Sequence, residues 1–240
     1  PYRRQRQMCI RDSSPSGTYY DPVDIAPYLT KGSNTIAILL WHFGKDGFSH
    51  INSGKAALLF EAIAPGLEIV SDASWQCALY EAYQNTDAPF PNYRMPESNI
   101  RFDARQAITN WNRTSFEGSL PGAVCVGKAG KAPFGELVER PIPQWKNSGL
   151  LSYVSVRESL KGDTLFCRLP YNAQITPYLK VEAEAGKTIH IRMDNYEGGS
   201  ERNVRAEYIT REGEQEYESY GWMNGHEAVS YTHLRAHETS

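Results

Sequence analysis

No stretch of ten residues in this chain keeps the 3.6-residue apolar period of an amphipathic helix. Short apolar or alternating segments follow one another instead, cut apart by glycine and proline. The clearest is KTIHIRM (187–193), where Ile189, Ile191 and Met193 point one way while His190 and Arg192 point the other, the two-residue repeat of a half-buried strand. YLKVEAEA (178–185) alternates likewise, with Lys180, Glu182 and Glu184 outward. TIAILLW (35–41) and KAALLFEAI (55–63) are continuous apolar runs of strand length, expected as strands buried on both faces. LEIV (67–70) follows a PG turn, and VRAEYITREGEQEYESYGW is expected as a hairpin turning at Glu212-Gly213. One helical turn is expected in YYDPVDIAPYL, with Asp21 capping, Pro22 at the first position and Pro27 limiting its length. The fold class that follows is all-β, as two consecutive β-sandwiches.

Composition narrows the function classes. Aromatic residues reach 12%, with 15 Tyr and 5 Trp, and a formal charge of -3 gives no footprint for nucleic acid. No apolar run approaches the roughly 18–20 residues of a membrane-spanning helix. Cys9, Cys77, Cys125 and Cys167 are scattered without a CxxC pair and are expected as free thiols. The first thirteen residues differ from the rest: four Arg against one Asp give +3 and leave -6 elsewhere. QRQMCIRDS near the start and VSYTHLRAHET near the end both resemble translated sequencing-adapter read-through in metagenomic gene sequences. Residues 1–13 and 229–240 are therefore expected to be non-native tails. On that reading His233 and His237 pack against nothing, although their four-residue spacing would suit two metal ligands on a helix.

Gly and Pro crowd residues 118–149, which places the expected seam between modules near Leu150. The division is then 14–149 for a first sandwich with an extended connection, and 150–228 for a second.

Several segments carry a family likeness. YYDPVDIAPYLTKGSNTIAILLW resembles the later part of the galactose-binding-like (jelly-roll) sandwich of bacterial α-L-rhamnosidases, glycoside hydrolase family 78. SNIRFDAR (98–105) is similar to that family's "YDAR" element, and LVERPIPQW (137–145) to the connection after it. LPYNAQITPYLKVEAEAGKTIHIRMDNYEGGSERNVRAEYITREGEQEYESYGWMNGHE resembles the sandwich that precedes the family's catalytic domain. The resemblance implies a parent enzyme in the bacterial periplasm or outside the cell. It also implies an (α/α)6 barrel carrying the catalytic glutamate pair, which inversion holds about 6.5–9.5 Å apart. No catalytic residue of that pair maps onto this chain. The first module would lack its opening strands. Rival readings are a free-standing carbohydrate-binding protein and the sandwich region of another exo-glycosidase.

Four groups of residues bear on function. In WHFGKDGFSHINSGK, Trp41, Phe43 and Phe48 could stack on sugar rings while Lys45, Asp46 and His50 bind hydroxyls; the alternative is a core Trp beside a solvated loop. In YGWMNGHE, Trp222, Asn224 and His226 could dock the catalytic domain; the alternative is a local turn around a buried Trp. Asp194, Asn195, Glu197 and Glu201 surround a double glycine and could hold calcium, although tight turns need the same residues. No other cofactor is expected. Glu212, Glu214, Glu216 and Glu218 share a period of two, and the last three are expected on one exposed strand face. Asn112-Arg113-Thr114 is a glycosylation sequon of a kind common by chance.

Overall fold

Among the described residues, alternation and turn chemistry yield fifteen strands. They are β1 (Tyr2–Arg3), β2 (Ser13–Ser14), β3 (Gly17–Tyr20), β4 (Glu61–Ala64), β5 (Leu67–Val70), β6 (Tyr83–Asn85), β7 (Ile100–Asp103), β8 (Glu136–Glu139), β9 (Leu150–Leu151), β10 (Ser155–Glu158), β11 (Thr164–Ala183), β12 (Thr188–Met193), β13 (Ala206–Ile209), β14 (Gly213–Glu218) and β15 (Met223–Thr232). The computed structural model describes residues 2–3, 13–14, 17–42, 56–64, 66–88, 99–131, 134–141, 149–196 and 204–232. Helix among these is confined to single 3-10 turns at Ala26–Tyr28, Ala104–Gln106 and Asp194–Tyr196. The chain is all-β.

Two compact units emerge. One combines residues 1–8, 80–107 and 144–240; the other combines 9–79 and 108–143. The seam expected near Leu150 falls close to the return at 144, but residues 80–107, expected in the first module, join the second. Backbone pairing explains the transfer: β7 lies parallel to β13, with Phe102 opposite Tyr208, and β6 pairs with β7.

The C-terminal unit is organised by the 20-residue β11. Its first part pairs with β10 and β15, and its last part with β14. One strand thus serves two layers, and the sheet folds over itself. From β7 and β13, Phe102 and Tyr208 meet Tyr217 of β14 across the layers, with ring centroids 4.7 and 4.9 Å from Tyr217. Ile175, Ile189, Ile191, Met193 and Met223 complete the core around them. Each such aliphatic side chain contributes about 1.5–3 kcal/mol on full burial. The alternation read in KTIHIRM holds: Ile189, Ile191 and Met193 are buried.

The expected 206–218 hairpin does not form. β13 pairs with β12 and β7, whereas β14 pairs with β11 in the other layer. The turn at Glu212-Gly213 is present, Gly213 standing at φ 85, but it crosses between layers as an arch. Buried Gln215 holds it: its amide oxygen accepts from the Arg211 N–H (2.8 Å) and the Tyr208 hydroxyl (3.0 Å). Its amide nitrogen donates to the Arg211 and Gly213 carbonyls.

The segments expected as tails contribute strands. Tyr2–Arg3 pairs with both β11 and β9. The join expected near Ala228 falls inside β15, where Val229, Ser230 and Tyr231 continue the pairing with β11 and β12. His233 and His237 lie outside the described residues.

In the other unit, β2, β3 and β8 form one small sheet, β4 and β5 another, and Gln76 bridges Gly122. The helical turn falls at Ala26–Tyr28, four residues later than expected, with Asp24 accepting from the Ala26 N–H at 3.0 Å. Residues 35–41 correct the expectation of a strand buried on both faces. They join no sheet, and Ile38, Leu40 and Trp41 are exposed. Of KAALLFEAI, only the end becomes a strand, β4.

Candidate functional site

Of the expected sugar platform only Trp41 is described; Phe43, Lys45, Asp46, Phe48 and His50 lie outside the described residues. Trp41 is 46% exposed rather than closing a core strand.

The expected docking residues sit where β15 begins. Met223 is fully buried, and half-buried Asn224 stands opposite Gln174 of β11. Trp222 is half-buried, and its indole N–H is sealed from solvent without a hydrogen-bond partner among the described residues. A sealed donor of this kind costs about 1–3 kcal/mol. His226 is exposed. Alternation therefore places Asn224 and His226 on one face of β15, with Trp222 immediately before it, though only His226 offers much surface.

Asp194 fixes this edge. Its Oδ1 accepts from the backbone N–H groups of His226 (2.8 Å) and Glu227 (3.1 Å). Its Oδ2 lies 3.7 Å from His226 Nδ1. The contact falls opposite a bulge in β11, where the register shifts between Arg168 and Ala173. Gly225 is required there, because a Cβ would run into the Asp194 carboxylate. Asn195 donates to Asn172 at 3.4 Å. Both members of the expected calcium loop that are described thus have protein partners. Glu197 and Glu201 lie outside the described residues. Among the described residues no three His, Cys, Asp or Glu side chains are grouped to hold a metal ion.

The glutamates of β14 share one face, as their period implies. Lys180 pairs with Glu214 at 2.5 Å, the Tyr178 hydroxyl donates to Glu216 at 2.6 Å, and the Thr176 hydroxyl to Glu218 at 3.2 Å. Each contact is diagonal to the backbone register, as strand twist requires. The Glu214 carboxyl is held below its ordinary value, first by its hydrogen bond from Lys180 and then by that charge. A general acid needs the opposite shift, so this face is a cross-strand ladder.

Sequence reading missed a buried ionic cluster. Glu207, on the outer face of β13, is 1% exposed. Arg205 reaches its Oε1 at 2.7 Å, Arg101 its Oε2 at 3.2 Å, and the Asp87 N–H donates to it at 3.2 Å. His190 Nδ1 stands 3.6 Å away, Arg101 also pairs with Asp87, and Arg205 donates to the Asp87 carbonyl at 2.6 Å. Two guanidiniums around one carboxylate leave no free base. The cluster instead ties Asp87 and Arg101 to β13. The pattern Arg-x-Glu was visible in VRAEYI, but Arg101 and Asp87 lie more than a hundred residues away in sequence.

No protein-family model and no curated protein matches the chain. Among solved structures, an α-L-rhamnosidase from Dictyoglumus thermophilum shares the fold, with a TM-score of 0.52 and 20% identity. The likeness covers 72% of this chain and 19% of that one. The chain thus corresponds to about a fifth of that protein's length.

Proposed function

We propose that this chain is a non-catalytic β-sandwich region of a glycoside hydrolase that releases terminal α-L-rhamnose, serving as scaffold for a catalytic domain and as a contact for carbohydrate. The observation that carries the reading is the fold shared with a solved α-L-rhamnosidase over 72% of the chain. The segments that resemble family 78 rhamnosidases support it independently, since the longest of them runs from the β11 bulge into β15. In this reading hydrolysis belongs to an (α/α)6 barrel elsewhere in the parent, which acts in the bacterial periplasm or outside the cell. The β15 edge with Trp222, Asn224 and His226 is the docking side.

Two measurements test it. The purified chain is expected to release no product from an aryl α-L-rhamnoside, and measurable turnover would overturn the non-catalytic reading. The source gene is expected to continue into a helical barrel. A stop codon within a few codons would favour a free-standing carbohydrate-binding protein, and a TIM barrel would favour another exo-glycosidase.

A further inference from the structure

Strand β10 lies at a margin of its unit, and among the described residues its one strand partner is β11. The pairing runs from Ser155 opposite Arg168 to Glu158 opposite Leu165. Just beyond it, the Ser159 N–H donates to the Thr164 carbonyl at 2.8 Å. Hydrogen-bonding residues alternate along an antiparallel ladder, so Ser155 and Arg157 turn their backbone groups toward β11. Those of Val156 and Glu158 point to the open side. Proline, a common block at a strand edge, is missing from residues 150–160.

The side chains agree with an unfinished edge. Val156 stands opposite buried Cys167 and so lies on the face that the core occupies. It is nevertheless 56% exposed, and Val154, two residues before it, is 63% exposed. On the other face Arg157 is held within its own sheet. Its guanidinium carbon lies 3.7 Å from the Phe166 ring centre, and its Nη2 lies 3.5 Å from the Glu227 carboxylate.

We propose that β10 pairs antiparallel with β10 of a second copy of this chain, about a two-fold axis at Val156. The charge pattern selects this occupant and its register. Outward backbone groups can meet as Val156 with Val156, Val156 with Glu158, or Glu158 with Glu158. The second register sets Arg157 directly against Arg157, and the third sets Glu158 against Glu158. Like charges directly opposite destabilise a strand pair. The first register sets none opposite, joins two valines on the core face and places Ser155 across from Arg157 of the second copy. A strand compatible with itself in one register is what an isologous contact needs. The ladder is short, so the association is a weak one. It does not depend on the carbohydrate reading.

Sedimentation velocity of the whole chain over roughly 10–500 μM, the range of a weak contact, tests it. Reversible dimerisation is expected. Val156→Pro removes an N–H that the fold leaves unused, and Val156→Lys sets two ammonium groups at the axis. Each variant should be monomeric throughout, with unchanged circular dichroism, and the Lys variant decides if the Pro variant misfolds. Ser155→Glu places a carboxylate opposite Arg157 of the second copy and should tighten the dimer roughly threefold. Leu160→Ser alters a fully exposed side chain outside the ladder and should dimerise as wild type. A chain that stays monomeric at every concentration overturns the proposal. So does a dimer that survives Val156→Lys, ignores Ser155→Glu or is lost in Leu160→Ser.

Discussion

The two units are built from similar sequence material and differ in what they bury. Every buried residue among those described belongs to the unit containing β11 to β15; the unit of 9–79 and 108–143 has none. Leu79, Val124, Ile63 and Val23 of the latter are each more than 65% exposed. A β-branched or apolar run is only a candidate for a core, and it becomes one when a second layer covers it. In the first unit β11 provides that second layer by passing through both. In the other, β2-β3-β8 and β4-β5 remain small sheets without a shared interior.

This contrast can be broken by substitution. The largest effect is expected at Glu207: Glu207→Ala leaves Arg101 and Arg205 without their carboxylate and should cost about 3–5 kcal/mol. Urea unfolding followed by tyrosine fluorescence reads this, and a loss below 1 kcal/mol would mean the cluster is solvated. Next comes Gly225→Ala, where a methyl group meets the Asp194 carboxylate; about 1–3 kcal/mol is expected. Asp194→Ala in the same background should recover part of that loss, and no recovery would separate the two residues. Smallest is Val124→Ser in the other unit, expected within about 0.5 kcal/mol because Val124 is 82% exposed. A larger cost there would reveal a core that the exposure of this residue denies.

Legibility followed the range of the interactions. The inward and outward faces of β12 and β14 were readable because alternation is written residue by residue. So were the turn at Glu212-Gly213 and the helical turn near Pro27, the latter starting four residues later than expected, at Ala26. The 35–41 run misled, since continuous hydrophobicity states a preference for burial and cannot supply a covering layer. The expected hairpin at 206–218 became an arch because each strand found a better partner elsewhere. SNIRFDAR was drawn into the distant sheet by parallel pairing with β13, which no local pattern encodes. Near the start of β15, Asn224 and His226 share one face as their spacing requires. The tie from Asp194 to the backbone of His226 needed a chain crossing that spacing cannot foretell.

The sequence by itself determined that this protein is all-β, where most turns fall, and which face of each alternating strand is apolar, because steric and turn preferences act between near neighbours. Tertiary structure alone decided which segments share a unit, which apolar runs are covered, and that Glu207 is buried between two arginines. Those outcomes depend on pairings between residues that can lie more than a hundred positions apart, where many partners satisfy the same local pattern and only the assembled layers select one.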